Sequence, residues 1–259
     1  MPDVRTLSRE EFLKAAADRT FEGVLLSAET ALDGLALAEC RFDRCRFRGP
    51  AIQSVDFSAS EFTDCTFEPM RLAGCKLAKA RLRGCSLFDA DTRRGSTFAF
   101  CDLQGAEIAK CNFATCSFER CDLYDLTAAG SSFRGAQFRQ STFSKTISRR
   151  SILTKASFEG CNISFADLSG LFLQHCEFRS CKFSETSFID ADLSHATLQG
   201  CALDRVDWER ARLRKTDLRG SELSGLNLAV LADYAGVMIS DSEQSEILGN
   251  LGIEVHRSV

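Results

Sequence analysis

No run of apolar residues approaches the ~18 that a membrane-spanning helix needs, so the sequence predicts none. The opening MPDVRTLSREEF lacks the apolar stretch of a secretory signal, and a cytoplasmic location is expected. There is no basic excess either: 32 Lys and Arg stand against 36 Asp and Glu, a formal net charge of −4. That balance argues against general binding of nucleic acid through a basic surface; neither direct nucleic-acid contact nor membrane association is expected. The 13 cysteines contain no Cys-x-x-Cys spacing, so a zinc knuckle has no support. No Ser/His/Asp or Cys/His arrangement and no glycine-rich phosphate loop emerges. The chain therefore reads as a non-enzyme, with no catalytic residue, cofactor or metal expected.

What is present is periodic. Every fifth residue from Leu37 to Leu87 is Leu, Phe or Ile: Leu37, Phe42, Phe47, Ile52, Phe57, Phe62, Phe67, Leu72, Leu77, Leu82, Leu87. The frame slips by one residue, resumes at Phe98, and runs by fives through Leu153 and Trp208 to Leu228. Of its 38 slots, all but Ala128 and Ser148 carry Leu, Phe, Ile or Trp, which neither a helix of period 3.6 nor a flat strand of period 2 explains. Two residues before most large slots stands a small one, and all 13 cysteines occupy this position. The other three positions are mostly polar. One large and one small side chain per five residues thus point inward.

In a reducing cytoplasm such cysteines would be thiols, metal ligands or catalytic groups rather than a disulfide frame. Their exclusive placement at the small inward slot favours the plainest role, a small buried hydrophobe interchangeable with Ala, Ser, Thr and Val. His175 and His195, twenty residues apart, fall at one outward position and should stack on one face. A metal pair there is weighed against solvated side chains. The latter is preferred because Lys155 and Lys215 share the column.

Departures from the repeat mark the candidate functional segments. Residues 1–30 form an N-terminal cap, with a capping box at Ser8-Arg9-Glu10-Glu11 predicting a helix near 8–18. Residues 31–230 carry the repeats. Within them, 88–97 and 144–155 read as projecting loops: Leu87 to Phe98 spans eleven residues instead of ten, and Ser148 falls on a core slot amid a basic cluster. Asp89, Asp91, Arg93 and Arg94 are the candidate contacts of the first loop; Lys145, Ile147, Arg149, Arg150 and Ile152 are those of the second. Residues 231–259 form a C-terminal cap. Gly236–Ile239 is expected to be extended, Asp241 to N-cap a helix over 242–248 ended by Gly249, and 251–255 to be a strand. Val237, Ile239, Ile247, Leu248, Leu251, Ile253 and Val255 are more apolar surface than so short a tail can bury alone, and a two-fold homodimer is expected to cover it.

These residues resemble the pentapeptide-repeat proteins. The resemblance implies an all-β fold, a right-handed quadrilateral parallel β-helix with four pentapeptides per coil, here about nine coils, with short helical caps. Over roughly residues 80–255 the chain is similar to the Qnr branch. Leu87–Phe98 looks like that branch's first projecting loop, and Phe143–Ile163, with Ile147, Arg150 and Ser151, like its longer second one. Asp207-Trp208 sits near the branch's matching Asp-Trp pair, and Val237–Val255 is similar to its dimerisation helix and strand. The resemblance implies binding to a type II DNA topoisomerase, gyrase or topoisomerase IV, and protection from quinolones or natural poisons. The rival reading is a passive rod that scaffolds another bacterial protein. The acidic balance lies in the caps: residues 1–30 carry −2, 231–259 carry −4, and the repeats between them +2. Loop-led docking is therefore expected rather than general mimicry of DNA.

Overall fold

The computed structural model describes residues 5–148, 151–254 and 256, with Ser151 described by its backbone alone. The inward slots become four stacked columns. On the first face nine short parallel strands, from Thr20–Glu22 to Thr197–Gln199, pair without a break. Their large residues lie in register: Phe21, Phe42, Phe62, Leu82, Ile108, Ala128, Phe158, Phe178, Leu198. A second sheet on another face joins five strands from Ala51–Gln53 to Gln137–Arg139. The other two faces are joined largely by single parallel bridges, such as Asn162 with Lys182 and Asp192 with Arg212. The result is a parallel β-solenoid of about ten turns.

The extra turn comes from the caps. Thr20–Glu22 and Val24–Leu26 pair with the next coil and so build the first turn themselves, beneath which Arg5–Thr6 adds one more short strand. At the other end Asp233 and Met238 still bridge back to Arg212 and Asp217.

The period has a chemical basis at each position. Phenylalanines stack coil on coil with nearly parallel rings: Phe42 on Phe62 at 4.9 Å, Phe47 on Phe67 at 4.2 Å, Phe98 on Phe118 at 5.0 Å, Phe118 on Phe138 at 4.9 Å. Before the large slot, Asp or Asn folds its side-chain oxygen onto the N–H two residues on. Asp102 accepts from Gln104, Asn162 from Ser164 and Asp217 from Arg219, at 2.9, 3.1 and 3.1 Å. This Asx turn drives the corner between faces. At the small slot a hydroxyl or thiol donates to the carbonyl 23 residues earlier: Ser141 to Phe118, Thr216 to Leu193, Cys65 to Phe42, Cys201 to Phe178. Cysteine thus replaces serine or threonine as a weaker donor of similar size. All 13 cysteines are free and buried, and burial pushes the Cys116 and Cys176 thiols up to about 12, away from reactivity. At Ala128 the two sizes are exchanged: Leu126, in the small slot, is buried and supplies the missing volume.

Each end is plugged by a helix. At the first, the helix Arg9–Ala15 is capped by Ser8 with the expected reciprocal box to Glu11, and a 3₁₀ turn continues to Asp18. Its Phe12 stacks on Phe21 at 4.6 Å, extending the aromatic column by one ring. At the second end the helix Gln244–Asn250 buries Ile247 against the last coils, and Asn250 donates to the Leu226 carbonyl. Here the structure corrects three expectations. Asp241 begins a 3₁₀ turn and, among the described residues, its side chain accepts only from neighbouring Ser242; Gln244–Asn250 has no side-chain N-cap. Gly249 lies inside the helix. The terminating residue is Gly252, at φ +77°, where the Gly252 N–H reaches Gly249 O and the Ile253 N–H reaches Leu248 O, a Schellman closure. Residues 251–254 are consequently a turn and its exit, not a strand.

Candidate partner-binding hairpins

Both predicted loops are antiparallel hairpins inserted into parallel coils. The first pairs Phe88–Asp89 with Arg94–Gly95. It leaves the rod after Leu87, a slot of one face, and returns at Phe98, the slot of the next, so six residues are additional. The rod is closed beneath it by the Ser96 N–H on Leu87 O at 3.0 Å. Asp89 shapes its tip, accepting from the N–H groups of Asp91 (2.8 Å) and Thr92 (3.3 Å); the first of these bonds does most to hold its carboxyl below the usual range. Gly95 permits the return. A Cβ there would lie 2.5 Å from Ala114 O and 2.6 Å from Cys116 N, inside the backbone of the adjoining coil. Asp91, Arg93 and Arg94 are exposed, and neither arginine has a carboxylate partner among the described residues.

The second hairpin pairs Ser144–Ser148 with Ser151–Thr154, with a bulge between Thr146 and Ser148. Its base is closed by the Lys155 N–H on Phe143 O at 3.0 Å and by the Ser144 and Thr154 hydroxyls at 2.7 Å. Ordinary coils go from this face to the next in five residues; here Phe143 to Phe158 takes fifteen. Leu153 is therefore not a core residue as the five-residue frame implied: it is 48% exposed on the hairpin, beside Ile147 at 56% and Ile152 at 67%. Lys145 lies back toward the rod, donating to Gln104 Oε1 at 3.5 Å and standing 5.7 Å from the Tyr124 ring. Lys155 anchors the other leg on Asp125 at 2.6 Å. Arg149 and Arg150, part of the basic cluster read from the sequence, lie outside the described residues.

The expected dimer residues divide. Val237 and Ile239 pack half-buried against this chain's own core, and Ile247 is buried in it. Leu248 is half-buried, while Leu251 and Ile253 are exposed, together with Tyr234 and Met238. Val255 lies outside the described residues.

Three exposed phenylalanines were not singled out from the sequence: Phe100, Phe165 and Phe172. The signal was available, because each falls outside the five-residue slots. Phe100 and Phe165 hold corners at φ +54° and +63°, and Arg120 and Arg134 lie over their rings at 5.6 and 4.4 Å. Among the described residues no three His, Cys, Asp or Glu side chains gather as a metal site, and no helix is long and apolar enough to cross a membrane.

A quadrilateral solenoid laid down in five-residue units is the pentapeptide-repeat architecture, and comparison agrees. Family models for the pentapeptide repeat region and for eight copies of the repeat match residues 151–228 and 131–170. Among solved structures, a trypsin-treated variant of QnrB1, a plasmid-mediated fluoroquinolone resistance protein, is similar with TM-score 0.64 and 25% identity, covering 90% of this chain and 100% of that one. Full-length QnrB1 gives 0.55 at 24% identity, with 90% and 100% covered. HetL, a pentapeptide repeat protein involved in heterocyst differentiation regulation in the cyanobacterium Nostoc, gives 0.51 at 20%, with 90% and 94% covered. No curated protein matches the chain. Residues 131–228 thus carry pentapeptide repeats, and the chain is similar in fold to QnrB1.

Proposed function

We propose that the protein binds a bacterial type II DNA topoisomerase, gyrase or topoisomerase IV, and protects it from quinolones or from natural poisons, without catalysing a reaction. The observation that supports this most is the pair of hairpins. Each is inserted into a rod whose large inward side chains pack in its own core. Each presents groups with no internal role: Arg93 and Arg94 on one, Ile147, Ile152 and Leu153 on the other. Apolar side chains exposed at that level on a projecting element fit a partner surface. The likeness to QnrB1, a fluoroquinolone resistance protein, supports the choice of partner. In this mechanism the two hairpins, together with Arg149 and Arg150, contact the cleavage core of the enzyme. That contact destabilises the drug-trapped cleavage complex, and the DNA is resealed. A homodimer joined through the exposed Leu251 and Ile253 would present two sets of hairpins; a monomer in analytical ultracentrifugation overturns that part.

The experiment is a gyrase supercoiling and cleavage assay with ciprofloxacin and with other poisons, titrated with the purified protein. Restored supercoiling and fewer trapped double-strand breaks are expected. Neither rescue nor inhibition over a wide concentration range would sink the topoisomerase reading and leave the scaffold.

A further inference from the structure

We propose that His175 and His195 form a two-imidazole chelate for a divalent transition metal ion of the zinc, nickel or copper class. The inference is independent of the topoisomerase reading. The two residues occupy the same corner of successive coils, both in the left-handed region at φ +59° and +61°. The corner is held by backbone bonds from the His175 N–H to Ser194 O at 3.3 Å and from the His195 N–H to Arg214 O at 2.8 Å. Both side chains are exposed, and their rings face one another with centroids 5.1 Å apart and planes inclined by 18°. Among the described residues no hydrogen bond or ion pair engages either imidazole, so the ring nitrogens have no structural task.

Neutral imidazole suits zinc, nickel and copper, and two nitrogens bound tetrahedrally at about 2.0–2.1 Å lie about 3.3 Å apart. Rings at the observed spacing reach that separation by tilting toward a shared point, with no movement of the backbone. The rod holds both side chains on one corner, so little chain entropy opposes chelation. Lys215 holds the same left-handed corner on the following coil, at φ +54°, and its charge weakens the site; Lys155 is held instead by Asp125 at 2.6 Å. Asp192, the carboxylate of the intervening turn, is occupied by Ser194 N–H and Gln174 Nε2 and does not ligate. The remaining coordination positions are left to water.

Zinc chloride titrated into full-length protein with labelled imidazoles tests this by NMR. The resonances of His175 and His195 are expected to move together at one zinc per chain, while those of His256, in the tail beside Glu254, stay in place. The buried thiols do not compete in the folded chain. His175→Asn and His195→Asn should each weaken binding roughly tenfold or more, the cost of losing one of two ligands. Both should keep the wild-type circular dichroism, because both side chains are exposed. Wild-type affinity in either variant, or no joint shift of the two residues up to millimolar zinc, overturns the proposal.

Discussion

The rod and its hairpins obey opposite rules. In the rod the inward and turn positions have repeated assignments: a ring on the ring one coil away, a hydroxyl or thiol on the carbonyl 23 residues earlier, an Asx oxygen on the N–H two residues on. In the hairpins each strand pairs only with its own partner, and the side chains that would be core elsewhere, Ile147, Ile152 and Leu153, face outward. The difference separates what makes the protein fold from what it can offer to another molecule. In a solenoid stability is a sum of unit and nearest-neighbour contributions, so an insertion that closes at its own base leaves that sum intact.

The largest expected effect tests the rod. Phe118 is 1% exposed and stacks between Phe98 and Phe138 at 5.0 and 4.9 Å. Phe118→Ala should cost about 3–5 kcal/mol, read as a lower urea midpoint, whereas Ile152→Ala on the second hairpin should change stability by no more than about 0.5 kcal/mol. Equal losses at the two positions would erase the distinction.

A smaller effect concerns the Asx turns. Asp217 is held below the usual carboxylate range first by the Arg219 guanidinium and then by the Arg219 N–H; for Asp233 the Ala235 N–H leads and Arg214 follows. A depressed folded value means the stabilisation is complete above the unfolded value and lost as pH falls through the folded one. The urea midpoint should therefore be flat from pH 7 to about 5 and decline below about 4. Asp217→Asn should blunt that decline while keeping the turn, since Asn112, Asn162 and Asn227 already make it. Its cost at neutral pH should be no more than about 1 kcal/mol, because the Arg219 partner is solvent-exposed. An undiminished acid response in the variant would assign the decline to other groups.

Most of the core could be read from the five-residue frame because each inward slot has one chemical requirement, repeated many times. The two insertions were unequally visible for an arithmetical reason. Six additional residues before Phe98 shift the frame by one and announce themselves, while the ten before Phe158 are two whole units and leave the frame apparently unbroken. Leu153 therefore fell on a core slot by register alone, and only the antiparallel pairing of Lys145 with Leu153 shows where it belongs. The capping box at Ser8 was legible because its two reciprocal bonds are local. The end of the last helix was not, since Gly249 and Gly252 are equally able to stop a helix and packing of Ile247 on the rod decides between them.

A similarly small expected effect on stability follows from that arithmetic and separates the regions most sharply. Deleting residues 145–154 leaves Ser144, Lys155, Ala156 and Ser157 between Phe143 and Phe158, the ordinary five-residue step. Lys155 would then take the left-handed corner that Lys79 and Lys215 hold in other coils at φ +58° and +54°. The closure of Lys155 N–H on Phe143 O already brings the cut ends together, so the shortened chain asks for no new fold. Its urea midpoint should correspond to a change within about 1 kcal/mol, with loop shortening offsetting the lost hairpin pairing. In the gyrase assay the same protein should lose protection outright. A loss of several kcal/mol would make the hairpin part of the rod's structure. Full protection by a well-folded deletion would remove the second hairpin from the partner surface and leave the first, at Asp89 to Arg94, to carry it.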